Sequence, residues 1–359
     1  MRFLAGIFLC FSLLTAPLCA QAAECGPFGD APAEVNHGFF ASFIASHNPI
    51  CFGGKAIGPW TDSSGTDRYA CLYESENASK ENPLPLIVFL HGSLATADSI
   101  RLTGLIGLIN TADLGGKKPG FILLAPEGRY TTHYYPSLDS NAVGWDNWYR
   151  QVNPSGTATV GGKVYAENDD AAAIDHFVQE QLAGGKVDGH RIYLMGWSNG
   201  AAMALLYALN RPWLAAAAVY SAPNPFAAFD DRCPQVPVAL TPSGNGQIQV
   251  FNPRVPLMHV RNSCDIEGLC PNGITFKSQM AGIGATLDDV ILDSAGNQVS
   301  ACDDSCGTNA LAGGDIGAGG KFRGFIHHVR WPSQWNAKML EFLKQHPLGS
   351  SSEQPKFAP

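Results

Sequence analysis

The pentapeptide Gly196-Trp197-Ser198-Asn199-Gly200 stands between an apolar run, Ile192-Tyr193-Leu194-Met195, and an alanine-rich stretch from Ala201 to Leu209. It is a G-x-S-x-G pattern in a strand–turn–helix setting, and the chemistry it suggests is attack by a serine hydroxyl. That hydroxyl is a poor nucleophile until a neighbouring base takes its proton. A sharp turn holds it clear of its own backbone, and the two glycines give the chain room to turn. The helix that follows offers free N–H groups to a developing oxyanion. A chain with 39 glycines supplies about 0.25 such patterns by chance if serine is roughly one residue in sixteen. The partners therefore decide.

In strand–helix folds carrying this turn, the nucleophile, acid and base follow in the order Ser, Asp or Glu, His. Of ten histidines, His327, His328 and His346 lie beyond both Ser198 and an acid following it. His346 precedes Pro347 and reads as a surface residue at a helix end. His327 and His328 stand between a glycine-rich stretch and the last helical segment, a loop position suited to a general base. Either His327 or His328 is the expected base. Asp265 follows the run Pro256 to Val260 and is placed to orient a histidine ring. Glu267 is the other acid of that loop. Asp288, Asp289, Asp293, Asp303, Asp304 and Asp315 read mostly as solvated carboxylates. For the oxyanion, the backbone N–H groups of Asn199 and Ser93 are the expected donors. His91, lying before the serine, reads as a structural hydrogen-bonding residue.

Positioning these groups needs a sheet. Leu86 to Leu90, Phe121 to Leu124, Ile192 to Met195, Ala215 to Tyr220 and Pro256 to Val260 are continuous apolar runs, the pattern of buried parallel strands. Helical segments are expected at Asp169 to Leu182, Ala201 to Leu209, and Ser333 to Gln345 with Ser333 as N-cap. Alternating strands and helices imply a mostly parallel α/β sheet covered on both faces, with ligands beyond the strands' carboxyl ends. Two stretches read as insertions: the aromatic Arg129 to Val164, a candidate cleft wall, and Phe226 to Arg254.

The N-terminus carries Arg2, an apolar Phe3 to Leu18 and Ala20-Gln21-Ala22, the pattern of a secretory signal. Its apolar core is shorter than the ~20 residues of a spanning helix. The expected organisation is a signal peptide at 1–22, a catalytic domain at 23–347 and a disordered tail at 348–359. Export leaves Cys25, Cys51, Cys71, Cys233, Cys264, Cys270, Cys302 and Cys306, a set suited to disulfides in a secreted or periplasmic protein. Close spacing favours Cys302 with Cys306 and Cys264 with Cys270. No Cys-x-x-Cys spacing supports a metal site, and none is expected. A net charge of −8 with scattered basic residues argues against nucleic acid or an anionic membrane surface as partner.

Leu90-His91-Gly92, Ala125-Pro126-Glu127-Gly128, Asn168-Asp169-Asp170, Val187-Asp188, Arg191 to Met203, the Pro256 to Asp265 segment and His327 to Pro332 occur in a familiar order. Together they resemble the secreted esterases grouped with polyhydroxybutyrate depolymerases and feruloyl or acetylxylan esterases. The resemblance implies an α/β-hydrolase fold with a Ser198, Asp265 and His328 triad and no cofactor. Two departures stand out: the family's His-Gly before the aspartate is missing, and its His-x-Trp-Pro is displaced by one residue, His328 lying three before Trp331. The implied activity is hydrolysis of carboxylic esters, feruloyl or acetyl groups on polysaccharides, with polyhydroxybutyrate or its oligomers as the alternative. A catalytically dead binding protein of the same fold is the rival from another class.

Overall fold

Strands of unbroken Leu, Ile and Val need apolar cover on both faces. The computed structural model describes residues 49–62, 65, 67–93, 95–128, 144–145, 157–160, 163–166, 169–224, 240–241, 248–249, 252–266, 269–303, 306 and 319–349. The expected signal peptide, Cys25, Cys233, Glu267, residues 350–359 and most of both insertions lie outside them. Nine strands of the described residues form one sheet. They are β1 (Lys55–Thr61), β2 (Asp67–Tyr73), β3 (Leu84–Leu90), β4 (Ile122–Pro126), β5 (Val187–Trp197), β6 (Ala216–Tyr220), β7 (Leu257–Asn262), β8 (Leu287–Leu292) and β9 (Gln298–Val299). Their order is β1-β2-β4-β3-β5-β6-β7-β8-β9. The pairings from β4 across to β8 are parallel, while β1, β2 and β9 attach antiparallel. The expected strands are all present. The β1–β2 pair is additional, and β1, mostly exposed at the sheet edge, has no apolar run to announce it.

Period-two alternation splits the core into two layers. Leu84, Leu86, Val88 and Leu90 of β3 join one layer, with α1 (Asp169–Ala183), α2 (Asn199–Asn210) and α3 (Leu269–Gly282). Ile87 and Phe89 join the other, beneath the 3-10 turn Ala97–Leu102 and α5 (Asn336–Lys344). All of α2 is buried, as its alanine, leucine and methionine content demands. The chain has the α/β-hydrolase fold, and α2 lies at its centre.

Three expectations are corrected. The disulfides are Cys51–Cys71, Cys264–Cys306 and Cys270–Cys302, not the close-spaced pairs. Neighbouring parallel strands β7 and β8 bring their following loops side by side, and the Asp303 N–H bonds the Ser263 carbonyl at 2.9 Å. The bridges therefore join the two loops rather than closing each one. His327 and His328 end a helix, α4 (Gly319–His328), rather than lying in a loop. Its glycines hide it from propensity, but Gly324 is needed: a Cβ there would stand 2.7 Å from the Asp265 carbonyl oxygen. Ser333 opens a short 3-10 turn and makes no side-chain cap, so α5 proper begins at Asn336.

Candidate active site

Ser198 occupies the single residue between β5 and α2, with φ 55° and ψ −121°. A non-glycine residue persists in such a conformation only where its surroundings over-determine it. Here the Ser198 N–H bonds the Tyr220 carbonyl at 2.9 Å, and close backbone approaches fix the turn. A Cβ on Gly196 would lie 2.5 Å from the Gly200 carbonyl oxygen, and one on Gly200 would lie 2.2 Å from that of Leu90. A Cβ on Gly92 would stand 3.3 Å from the Ser198 Cβ, so the turn after β3 lies against the serine. The glycines of the pentapeptide are thus required by packing.

The structure brings Asp265 and His328 to this serine. The Ser198 hydroxyl donates to His328 Nε2 at 2.7 Å, and His328 Nδ1–H donates to Asp265 Oδ1 at 2.8 Å. Asp265 is 3% exposed and His328 7%, so the chain of bonds is shielded from water on its acid side. The end of α4 is fastened twice: Trp197 Nε1–H donates to the His328 carbonyl at 2.8 Å, and the Tyr220 hydroxyl donates to the His327 carbonyl at 2.6 Å. Trp331, just beyond, packs edge-on against Phe89, Trp197 and Tyr220. His327 is half-buried and contributes that carbonyl rather than its ring. Burial, then the Arg323 charge, holds its imidazole below the ordinary histidine range.

One residue of this constellation escapes sequence reasoning. Ser221, first after β6, donates its hydroxyl to Asp265 Oδ2 at 2.6 Å. The Ile266 N–H donates to Oδ1 at 2.8 Å, so both carboxylate oxygens are engaged. A serine after an apolar strand carries no signature of such a role. Its isolation from the triad in sequence conceals it.

The oxyanion side is built differently. Asn199 is the first residue of α2, where an N–H has no acceptor within the helix, and Ser93 follows Gly92 in the turn after β3. Around them runs a buried network. The Trp145 N–H donates to Asn199 Oδ1 at 2.6 Å, and Trp145 Nε1–H donates to the His91 carbonyl at 2.8 Å. A Cβ on Gly144 would meet Asn199 Oδ1 at 2.4 Å and Ser93 Oγ at 3.5 Å, so Gly144 packs against the side chains of both residues. Trp145 is 1% exposed and packs inward; at this residue the aromatic insertion is core rather than cleft wall.

His91 is structural, as read. The Gly128 N–H donates to its Nε2 at 3.0 Å, so the proton sits on Nδ1 and goes to the Gly92 carbonyl at 2.9 Å. Burial pushes its pKa down to about 4. Glu127 beside it accepts from the Ala97 N–H at 2.6 Å, and burial holds its carboxyl well above the usual range. The His91 imidazole is therefore uncharged at neutral pH, so its 4.0 Å approach to Glu127 is not an ion pair. Arg68 closes the network from β2, bonding Asp62, Asp170 and the Glu127 carbonyl.

Among the described residues, no cluster of His, Cys, Asp and Glu is placed to hold a metal ion, and no helix is long and apolar enough to cross a membrane. The family model described as Esterase PHB depolymerase matches residues 68–228. That range spans β2 to β6 and includes Ser93, Ser198 and Asn199, but stops short of Asp265 and His328. No curated protein matches the chain. Among solved structures, an S-formylglutathione hydrolase from Agrobacterium tumefaciens is 14% identical, covers 85% of this chain and 99% of its own, and has a TM-score of 0.50. A thermostable esterase is 14% identical at a TM-score of 0.49, with 83% of this chain covering 64% of that one. A ferulic acid esterase is 14% identical at a TM-score of 0.44, with coverages of 81% and 98%.

Proposed function

We propose, from the match of residues 68–228 to the Esterase PHB depolymerase family model, that this protein is a carboxylic ester hydrolase working as a serine esterase through an acyl-enzyme. The observation that carries the mechanism is the unbroken chain from Ser198 through His328 to Asp265, at 2.7 and 2.8 Å. Ser198 attacks the ester carbonyl as His328 Nε2 accepts its proton, and His328 then protonates the leaving alcohol. Asp265 keeps the ring proton on Nδ1 and stabilises the imidazolium. The tetrahedral oxyanion lies between the Ser93 and Asn199 N–H groups. Water then repeats the sequence on the acyl-enzyme, releasing the acid and restoring Ser198. No cofactor enters any step.

The substrate class proposed is an ester on an extracellular polysaccharide, feruloyl or acetyl, met after secretion to the periplasm or medium. The disulfides fit an oxidising compartment. The family description supports a second reading, a polyhydroxybutyrate polymer or its oligomers. Hydrolysis of para-nitrophenyl acetate by wild type and Ser198→Ala tests the mechanism, and equal rates would sink it. A panel of methyl ferulate, acetylated xylan, hydroxybutyrate oligomers and polymer film separates the substrates by kcat/KM.

A further inference from the structure

We propose that Ser221 is a positioning residue for Asp265, a fourth member of the hydrogen-bonded chain; the inference rests on the serine-esterase reading of this site. Ser221 is wholly buried and has φ 53°, in the left-handed region that favours glycine. Three contacts hold it and its neighbour there. Its N–H donates to the Val260 carbonyl at 2.8 Å. The Ala222 N–H donates to His259 Nε2 at 3.1 Å. Its hydroxyl donates to Asp265 Oδ2 at 2.6 Å.

His259 is wholly buried. Because Nε2 accepts, its proton sits on Nδ1, which lies 3.6 Å from Asp289 Oδ1 without a hydrogen bond. Asp289 in turn is gripped by Arg261 Nε and Nη2, at 2.9 and 2.7 Å. A line of buried groups therefore runs from β8 through β7 to the turn after β6, and ends on the carboxylate.

Were the turn alone at stake, glycine would adopt φ 53° without strain. A serine kept there despite the strain indicates that its hydroxyl has a task. Asp265 meets His328 and the Ile266 N–H through Oδ1 alone. A carboxylate held by one oxygen is free to swing about its Cβ–Cγ bond. A donor on Oδ2 fixes the plane and keeps Oδ1 aimed at the imidazole, as outer partners do for other functional side chains. Ser221 thus acts through Asp265 and touches no substrate.

The test uses Ser221→Ala, which keeps the strain, and Ser221→Gly, which removes it. Both are expected to lower kcat by about 10- to 100-fold with KM within roughly twofold, although Ser221→Gly melts at the higher temperature of the two. The downfield NMR resonance of the His328 Nδ1 proton should also shift and exchange faster with water in both. Wild-type kcat with an unshifted resonance in Ser221→Gly overturns the proposal. Ser198→Ala is measured alongside. If it hydrolyses para-nitrophenyl acetate as fast as wild type, the serine mechanism fails, and the Nδ1 resonance still decides the role of Ser221.

Discussion

The two flanks of Ser198 solve the same problem, holding polar groups still beside the proposed nucleophile, with different materials. On the acid–base flank the proposed working groups are side chains, Asp265 and His328, borne on a loop and a helix end that two disulfides and Trp331 tie down. On the oxyanion flank the proposed donors are backbone N–H groups, and side chains only brace them. His91, Trp145 and Glu127 form that brace, buried, with hydrogen bonds from Ala97 to Glu127, from Gly128 to His91 and from Trp145 to the His91 carbonyl. A single substitution deletes a working group on the first flank. On the second, a side-chain truncation can only misaim one.

The largest expected effect follows from that difference. His328→Ala removes the proposed base and should lower kcat by about 10³-fold or more, whereas His327→Ala should leave kcat within roughly twofold. Steady-state hydrolysis of para-nitrophenyl acetate reads both. A dead His327→Ala beside an active His328→Ala would reverse the assignment made from the ring contacts.

The same contrast explains what the sequence made legible. The oxyanion flank grows from β3, β5 and α2, whose unbroken apolar runs and G-x-S-x-G turn have local signatures. The acid–base flank depends on pairings between segments far apart in the chain. Chain order narrowed the candidates, the loop after a strand favoured Asp265 and the family resemblance favoured His328, but nothing local reported that α4 is a helix, because Gly324 is there for contact with Asp265 rather than for propensity. Cysteine spacing misled for a related reason: loops brought side by side by parallel strands cross-link to each other. Asp289, expected as a solvated carboxylate, is instead buried against Arg261. Ser221 was invisible because its role exists only once β6 and the Asp265 loop are adjacent.

Removing a bridge sharpens the comparison. Replacing Cys264 and Cys306 with serine opens a 42-residue separation and should cost about 4 kcal/mol of stability by loop entropy. It should also lower kcat, because Asp265 adjoins Cys264. Replacing Cys51 and Cys71, 20 residues apart, should cost about 3 kcal/mol and spare kcat, since that bridge joins β2 near the sheet edge. Denaturation midpoints and turnover measured on both variants separate the effects. Equal losses of kcat would mean the bridges act only through global stability.

A smaller effect is expected on the oxyanion flank. Asn199→Ala keeps the proposed backbone donor but strands the buried Trp145 N–H, which loses its Oδ1 acceptor. That should lower kcat by about tenfold, less than deletion of an oxyanion donor, which costs about 10²- to 10³-fold. A loss as large as that of His328→Ala would show that the Asn199 side chain works on the substrate directly.

The smallest effect concerns charge. His91 has a folded pKa of about 4 against an ordinary 6.5. The unfolded chain binds the extra proton between those values, so stability on this account falls as pH drops from 6.5 toward 4. His259, also held at about 4 by burial, adds a loss of the same sign on the other flank. Glu127 works oppositely. Its folded pKa lies above the ordinary 4.5, so the folded state keeps a proton that the unfolded chain releases. Stability on its account falls as pH rises from 4.5 toward the raised value. Glu127→Gln retains an oxygen to accept the Ala97 N–H and cannot ionise. The variant should therefore match wild type near pH 4.5 and become the more stable of the two by pH 8, as read by urea denaturation across that range. Parallel curves would mean that burial in this flank does not raise the Glu127 carboxyl above its ordinary range.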